Sequence, residues 1–223
     1  MAQRLVHYLL GEALLKNAPR LSACNAARFR AGNLLPDAYG PGKPSPDLRK
    51  KTHFITETER GRISDFERFR MTFAERIPGD GLYLGYYLHL AEDACFRVFW
   101  HGLRLGENIR SLEDVSFLHR DYHILNRHIV TAYGLENRLS PDIGIEAEPI
   151  SSIFPFDLPL LRADLAADFA DEAAGDTRFL SAELIDEFIK KALPVCEDAL
   201  HRILNGTEPL SPHELTWKSG GVS

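Results

Sequence analysis

Short amphipathic runs alternate along the chain with breaks marked by proline and glycine, and the period within the runs is helical. Residues 3–17 set Leu5, Val6, Leu9, Ala13 and Leu14 at helical spacing, and Pro19 stops the pattern. Residues 22–33 predict a shorter helix with Ser22 as a possible N-cap. Segment 35–54 holds four prolines and two glycines and reads as irregular chain, long for a plain connection. Residues 64–77 predict a helix with Phe66, Phe69, Phe73 and Ile77 on one side. Asp80 offers an N-cap for a helix over about 82–104, which is apolar almost all round and therefore central to a bundle. Residues 117–133 predict another helix with Leu118, Tyr122, Leu125, Ile129 and Tyr133 inward. Four prolines make 137–160 irregular, 161–173 returns to helix, and 181–205 is the last long helix, with a kink at Pro194. No segment carries a defensible strand pattern. The fold class is all-α: a single-domain helical bundle over 1–206, followed by a peripheral polar tail over 207–223.

Composition narrows the function classes. Apolar residues make up 44% of the 223 and charged residues 26%, enough to bury a core without a disulfide or metal as a staple. The formal net charge of −6 argues against a double-stranded nucleic acid or an anionic membrane surface as a general partner. The most apolar window, 81–100, contains His89, Glu92, Asp93 and Arg97, which a transmembrane segment would make very costly. His7 and Glu12 interrupt the N-terminal apolar stretch, and no small-residue cleavage site follows. Nine histidines stand against three cysteines; Cys24, Cys95 and Cys196 have no CxxC spacing and suit a reducing, cytoplasmic setting. Any metal site must therefore be built from imidazole and carboxylate.

His89 and Asp93 sit one turn apart on the central helix and can offer a nitrogen and an oxygen to one cation. Asp93 could instead pair with Arg97, and His89 with a tyrosine hydroxyl. An inward carboxylate on so apolar a helix nevertheless demands a strong positive partner. His53, in KKTHF, is followed by Phe54 and Ile55, which turn the segment back toward the core. Taken alone it would be an ordinary loop histidine. Asp37, in GNLLPD, follows the apolar Leu34–Leu35 pair and could also open an Asx turn. His7 on the first helix, standing alone, would be a satisfied core histidine beside Tyr8.

The order of these elements resembles the zinc-dependent phospholipase C family: His7, then GNLLPD, then THF, then GYYLHLAED. That family is related to secreted single-strand-specific zinc nucleases. The resemblance covers residues 1–133 and is strongest to the shorter, unsecreted bacterial branch. It implies that the positions of Asp37, His53, His89 and Asp93 surround one zinc. It further implies that Asp93 bridges to a second zinc held with His7, and that Asp37 acts as catalytic base toward water. The implied activity is metal-dependent hydrolysis of a small phosphate ester or phospholipid head group by metal-activated water, with one or two divalent ions. Other metal-dependent hydrolysis on the same scaffold, or metal binding without turnover, are the alternatives. In secreted members the mature N-terminal amine is a further ligand, whereas here Met1 and five more residues precede His7. A third metal site is not expected either: Phe96 to Trp100 supply no ligand, and His119 and His123 read as solvated.

Lys51, in the basic run Arg49–Lys51 beside His53, is a candidate phosphate contact. Asp121 and Asn126 border the inward stripe of the 117–133 helix and are candidates for contacts to substrate or to the ligands. Phe96, Phe99 and Trp100 read as core. No Gly-rich phosphate loop, GxSxG elbow or HD dipeptide occurs.

Overall fold

Helices α1 (Arg4–Asn17) and α2 (Ala23–Leu34) pack on each other, and the most extensive contact in the fold joins α2 to α5 (Gly81–Gly102). The computed structural model describes residues 2–17, 23–40, 45–59, 61–141, 143–213 and 215. Between α2 and α5 lie α3 (Pro46–Thr52), the hairpin β1 (Ile55–Thr58) and β2 (Gly61–Ser64), and α4 (Phe66–Thr72). After α5 come α6 (Leu112–Tyr133), α7 (Leu158–Phe169) and α8 (Ala182–Asn205). The all-α class stands, with α5 at the centre: its residues Gly81–Phe96 are all buried. No helix among the described residues is long and apolar enough to cross a membrane.

Glycine sets the distance between α2 and α5. A methyl group on Gly81 would stand 2.1 Å from the Asn25 carbonyl oxygen, and one on Gly85 2.1 Å from that of Phe29. From the other side, a methyl on Gly32 would stand 1.9 Å from the Leu82 carbonyl oxygen. The helices thus touch backbone to backbone. Gly81, Gly85, His89 and Asp93 recur every fourth residue, so one ridge of α5 runs from bare contact into ionisable side chains.

Several boundaries differ from the sequence expectation. α3 lies inside the proline-rich segment 35–54, which the pattern had made irregular throughout. The Ser45 hydroxyl accepts from Leu48 N–H at 3.1 Å, and Pro46 opens the helix. Proline is a helix starter at that position because its missing N–H has no partner to lose. The β1–β2 hairpin was not anticipated; it pairs Ile55 with Ser64 and Thr58 with Gly61. Four-residue strands carry too few alternations to stand out. α4 ends at Thr72, earlier than expected, although Phe73 and Ile77 are still buried. α6 begins at Leu112 because Ser111 and Asp114 form a capping box. α7 runs three residues earlier at its start, capped by Asp157. The Ser22 cap lies outside the described residues. Past the C-cap Gly206, Leu210 packs against the core, so the start of the tail is attached. Cys95 and Cys196, distant in sequence, meet in the core; hydrogen bonding with Cys95 and burial push the Cys196 thiol well up.

Two outcomes test this account. Gly85→Ala should destabilise the protein by about 3 kcal/mol in urea unfolding, since neither backbone can retreat cheaply. Asp80 caps α5 through Leu82 N–H at 3.0 Å and takes two hydrogen bonds from Arg28 at 2.8 and 2.7 Å. Burial would raise its carboxyl, but the Arg28 bonds hold it below the ordinary value. A depressed carboxyl stabilises the fold above its unfolded value, and that stability disappears as pH falls through the folded one. Asp80→Asn should therefore cost about 1 kcal/mol at pH 7, allowing for partial solvent screening. The gap should begin to narrow near pH ~4 and close only below the depressed folded value.

Candidate metal centre

Four separate elements deliver the five expected ligands, and the structure brings all five together. α1 carries His7, and α5 carries His89 and Asp93. A 3₁₀ turn over Leu35–Asp37 continues from α2 and presents Asp37 beneath the buried Leu35 and Pro36. His53 is the C-cap of α3, and Phe54, in left-handed backbone at φ 48°, turns the chain sharply into β1. His7, His53 and His89 are fully buried, Asp93 is almost so, and the Asp37 side chain is 15% exposed.

Two overlapping groups can hold a metal ion: Asp37, His53 and His89 in one, and His7, His89 and Asp93 in the other. In the first, His53 Nε2 lies 3.3 Å from His89 Nε2 and 3.3 Å from Asp37 Oδ1. Asp93 Oδ2, from the other group, lies farther off, 3.7 Å from His53 Nε2 and 4.0 Å from His89 Nε2. Ligands about 2.0 Å from a tetrahedral ion stand about 3.3 Å apart, the spacing of His53 Nε2 from His89 Nε2 and from Asp37 Oδ1. The other carboxylate oxygen, Asp93 Oδ1, faces His7 Nε2 at 3.5 Å and accepts from the Ala2 main-chain N–H at 3.2 Å. The chain just before His7 therefore does reach the site, through its backbone. The His7 and His89 rings stack with centroids 3.8 Å apart.

What surrounds each ring decides what its inner nitrogen offers. His89 Nδ1 is 2.8 Å from the Asn33 carbonyl oxygen, an acceptor only, so Nδ1 carries the hydrogen. The neutral ring then points a bare Nε2 lone pair into the cluster. His7 Nδ1 bonds Glu92 Oε2 at 2.6 Å, and Asn33 Nδ2 donates to both Glu92 oxygens at 3.1 and 3.2 Å. His53 Nδ1 lies 3.0 Å from the hydroxyls of both Tyr39 and Thr52. Outer partners of this kind fix ring orientation at metal sites. Inside, His7 Nε2 and Asp93 Oδ2 are buried without a hydrogen-bond partner. Lone pairs and carboxylate oxygens facing one another in a dry interior call for a cation.

The electrostatics agree with that demand. Burial would lower His7, but the carboxylates of Asp93 and Glu92 beside its two ring nitrogens push it up to about 10. Burial and the neighbouring His7 push His89 down to about 3. Burial raises Glu92 to about 7, against its bonds to His7 and Asn33. Burial acts the same way on Asp37 and Asp93, yet Asp37 is held below the ordinary carboxylate range by His53 and His89, and Asp93 well below it by His7. Both bear charge where a metal would sit.

No family model, curated protein or solved structure matches the chain. The candidate centre therefore stands on its own geometry.

A cavity of about 450 Å³ opens beside the cluster, lined among others by Asp37, Tyr39, Arg49, Tyr122 and Asn126. Asn126 is where the sequence led: it accepts from Gln3 Nε2 at 2.6 Å and lines the cavity. Lys51 is exposed and does not line it; Arg49, two residues earlier and one helical turn before His53, does. Asp121 is a correction. Its carboxylate accepts the main-chain N–H groups of Arg178, Phe179 and Leu180 at 2.7–3.0 Å, so it holds the approach to α8 and touches neither cavity nor cluster. His119 and His123 are exposed as expected, but both lie on the cavity wall.

Sequence reasoning missed Glu92, Asn33, Tyr39 and Thr52. Glu92 had a usable signal, an acid on an all-apolar helix, the reason that singled out Asp93. Purified protein should carry near-stoichiometric divalent metal by elemental analysis. His89→Ala or Asp93→Asn should lose it, and a chelator should lower Tm, because an ion bound only by the folded state at 100 times its Kd adds about 2.7 kcal/mol.

Proposed function

We propose that the chain is a zinc-dependent phosphoester hydrolase of the phospholipase C type, acting on a small phosphate ester or a phospholipid head group. One observation carries the reading: Asp37 belongs both to the ligand cluster and to the cavity wall. A carboxylate in that place stands between the cation and whatever fills the cavity. Three histidines and two aspartates, with no thiolate, form a nitrogen and oxygen donor set that suits zinc. When bound, such an ion supplies Lewis acidity and lowers the pKa of water.

The chain's own residues do the rest. Asp37, shared by the cluster and the cavity wall, is the carboxylate placed to accept the proton of the attacking water. Tyr39 and Thr52 keep the His53 ring from turning. Arg49 on the cavity wall offers a planar fork of donors to phosphate oxygens, a recognition that Lys51 cannot give from its exposed position. A cavity of about 450 Å³ suits a head group and not a duplex. The positive charge that a net −6 chain lacks is supplied locally by the ion and Arg49. The buried free thiols Cys95 and Cys196 suit the reducing cytoplasm.

Metal-replete protein should hydrolyse a generic phosphodiester, lose that activity to a chelator and regain it with zinc. Asp37→Asn should lower kcat by about 10²–10³, even in samples whose metal content has been restored. Inertness toward phosphodiesters, phosphomonoesters, phospholipids and single-stranded nucleic acid would place metal binding without turnover ahead.

A further inference from the structure

The cavity wall carries a second polar arrangement, outside the two groups that could hold a metal ion. His123 on α6 and Asn126 three residues later both line it. His123 Nδ1 bonds Asp171 Oδ2 at 2.6 Å. Asp171 is itself fixed: Asn126 Nδ2 donates to the same oxygen at 3.1 Å, and Ala173 N–H donates to the other at 3.0 Å. Asn126 in turn is held by Gln3 at 2.6 Å and reaches Asp168 at 3.3 Å. Solvation alone does not explain an exposed imidazole locked from behind by a carboxylate that is locked in turn. Its other nitrogen, Nε2, has no hydrogen-bond partner among the described residues. No third ligand joins His119 and His123 in a metal-binding group among those residues either.

We propose that His123, oriented by Asp171, is the general acid that protonates the leaving oxygen of the ester; this rests on the hydrolase reading above. In-line displacement puts the attacking and leaving oxygens on opposite sides of phosphorus. With Asp37 and the cluster on the side of attack, the leaving oxygen points into the cavity. Asp37 and His123 line the same cavity, so a phosphate ester held in it faces both. The water oxygen bonds to phosphorus as the bond to the leaving oxygen breaks, and that electron pair stays on the leaving oxygen. The leaving oxygen takes a proton from Nε2 of the imidazolium, while the water proton goes to Asp37. The products are a phosphate and an alcohol. Asp37 returns its proton to solvent, and His123, with its side chain 61% exposed, regains one. Asp171 is a positioning residue: it fixes the tautomer and aims Nε2.

Leaving-group chemistry separates this role from others. A nitrophenyl ester departs as a stabilised anion and needs no acid, whereas a dialkyl phosphate does. In metal-loaded protein, His123→Gln should lower kcat on the dialkyl ester roughly a hundredfold while changing the nitrophenyl ester about twofold or less. Asp171→Asn should give the same ester-selective loss, but smaller. A second readout is independent of turnover: inorganic phosphate added to ¹⁵N-labelled protein should shift the ring signals of His123, identified by their absence in His123→Gln. Equal losses on both esters, no loss on either, or an unmoved His123 ring would overturn the acid role and leave the hydrolase reading intact. Wild-type protein inert to both esters would overturn the two together.

Discussion

Backbone contact between α2 and α5 is the constraint on which the rest of the molecule depends. It requires Gly32, Gly81 and Gly85, because a single methyl at any of them would overlap a carbonyl group of the facing helix. The closeness has a chemical result. It lets a main-chain atom of α2, the Asn33 carbonyl, reach the His89 ring of α5, and lets the Asn33 amide reach Glu92. Two of the three histidines are thereby oriented, directly or through Glu92, by one asparagine at the end of α2. A looser helix pair, spaced by alanine or leucine, would leave that carbonyl out of reach and the imidazole free to turn.

The cluster is costly as folded protein and coherent as a site. Three fully buried imidazoles and the carboxyls of Asp93 and Glu92 occupy volume that leucine would fill at lower cost. Every outward-facing nitrogen of the three rings has a partner, while inside the cluster His7 Nε2 and Asp93 Oδ2 have none. Simple core packing would not sort donors and acceptors by direction in this way. Charge of the opposite sign at the centre turns mutual repulsion into coordination.

The helical frame and the pair His89 and Asp93 were legible in the sequence itself, whereas His7, Asp37 and His53 were singled out through the family resemblance. α1, α5 and α8 declare themselves through long periodic runs, and α5 through its all-round apolarity. His89 and Asp93 stood out because ionisable side chains on such a helix need an explanation. What stayed hidden was decided by contacts that no local pattern encodes. α3 was masked by prolines that start a helix as readily as they end one, and the hairpin was too short to alternate. Asp121 looked like a site residue from its place on the inward stripe of α6, but its three acceptor bonds run to a loop 57–59 positions away. The choice between Arg49 and Lys51 turned on the rotation of α3 relative to the cavity. The Asp171 partner of His123 lies 48 residues downstream in irregular chain.

The layout also separates two stretches of the chain. Every atom of the candidate centre comes from residues 2–93, whereas much of the cavity wall comes from α6 and from Asp168 in α7. Val115, Leu118 and Tyr122 shape what the cavity admits and belong to neither metal-binding group. The cavity side contributed by α6 is thus separate in sequence from the glycine-tight pair of helices that sets the ligand spacing.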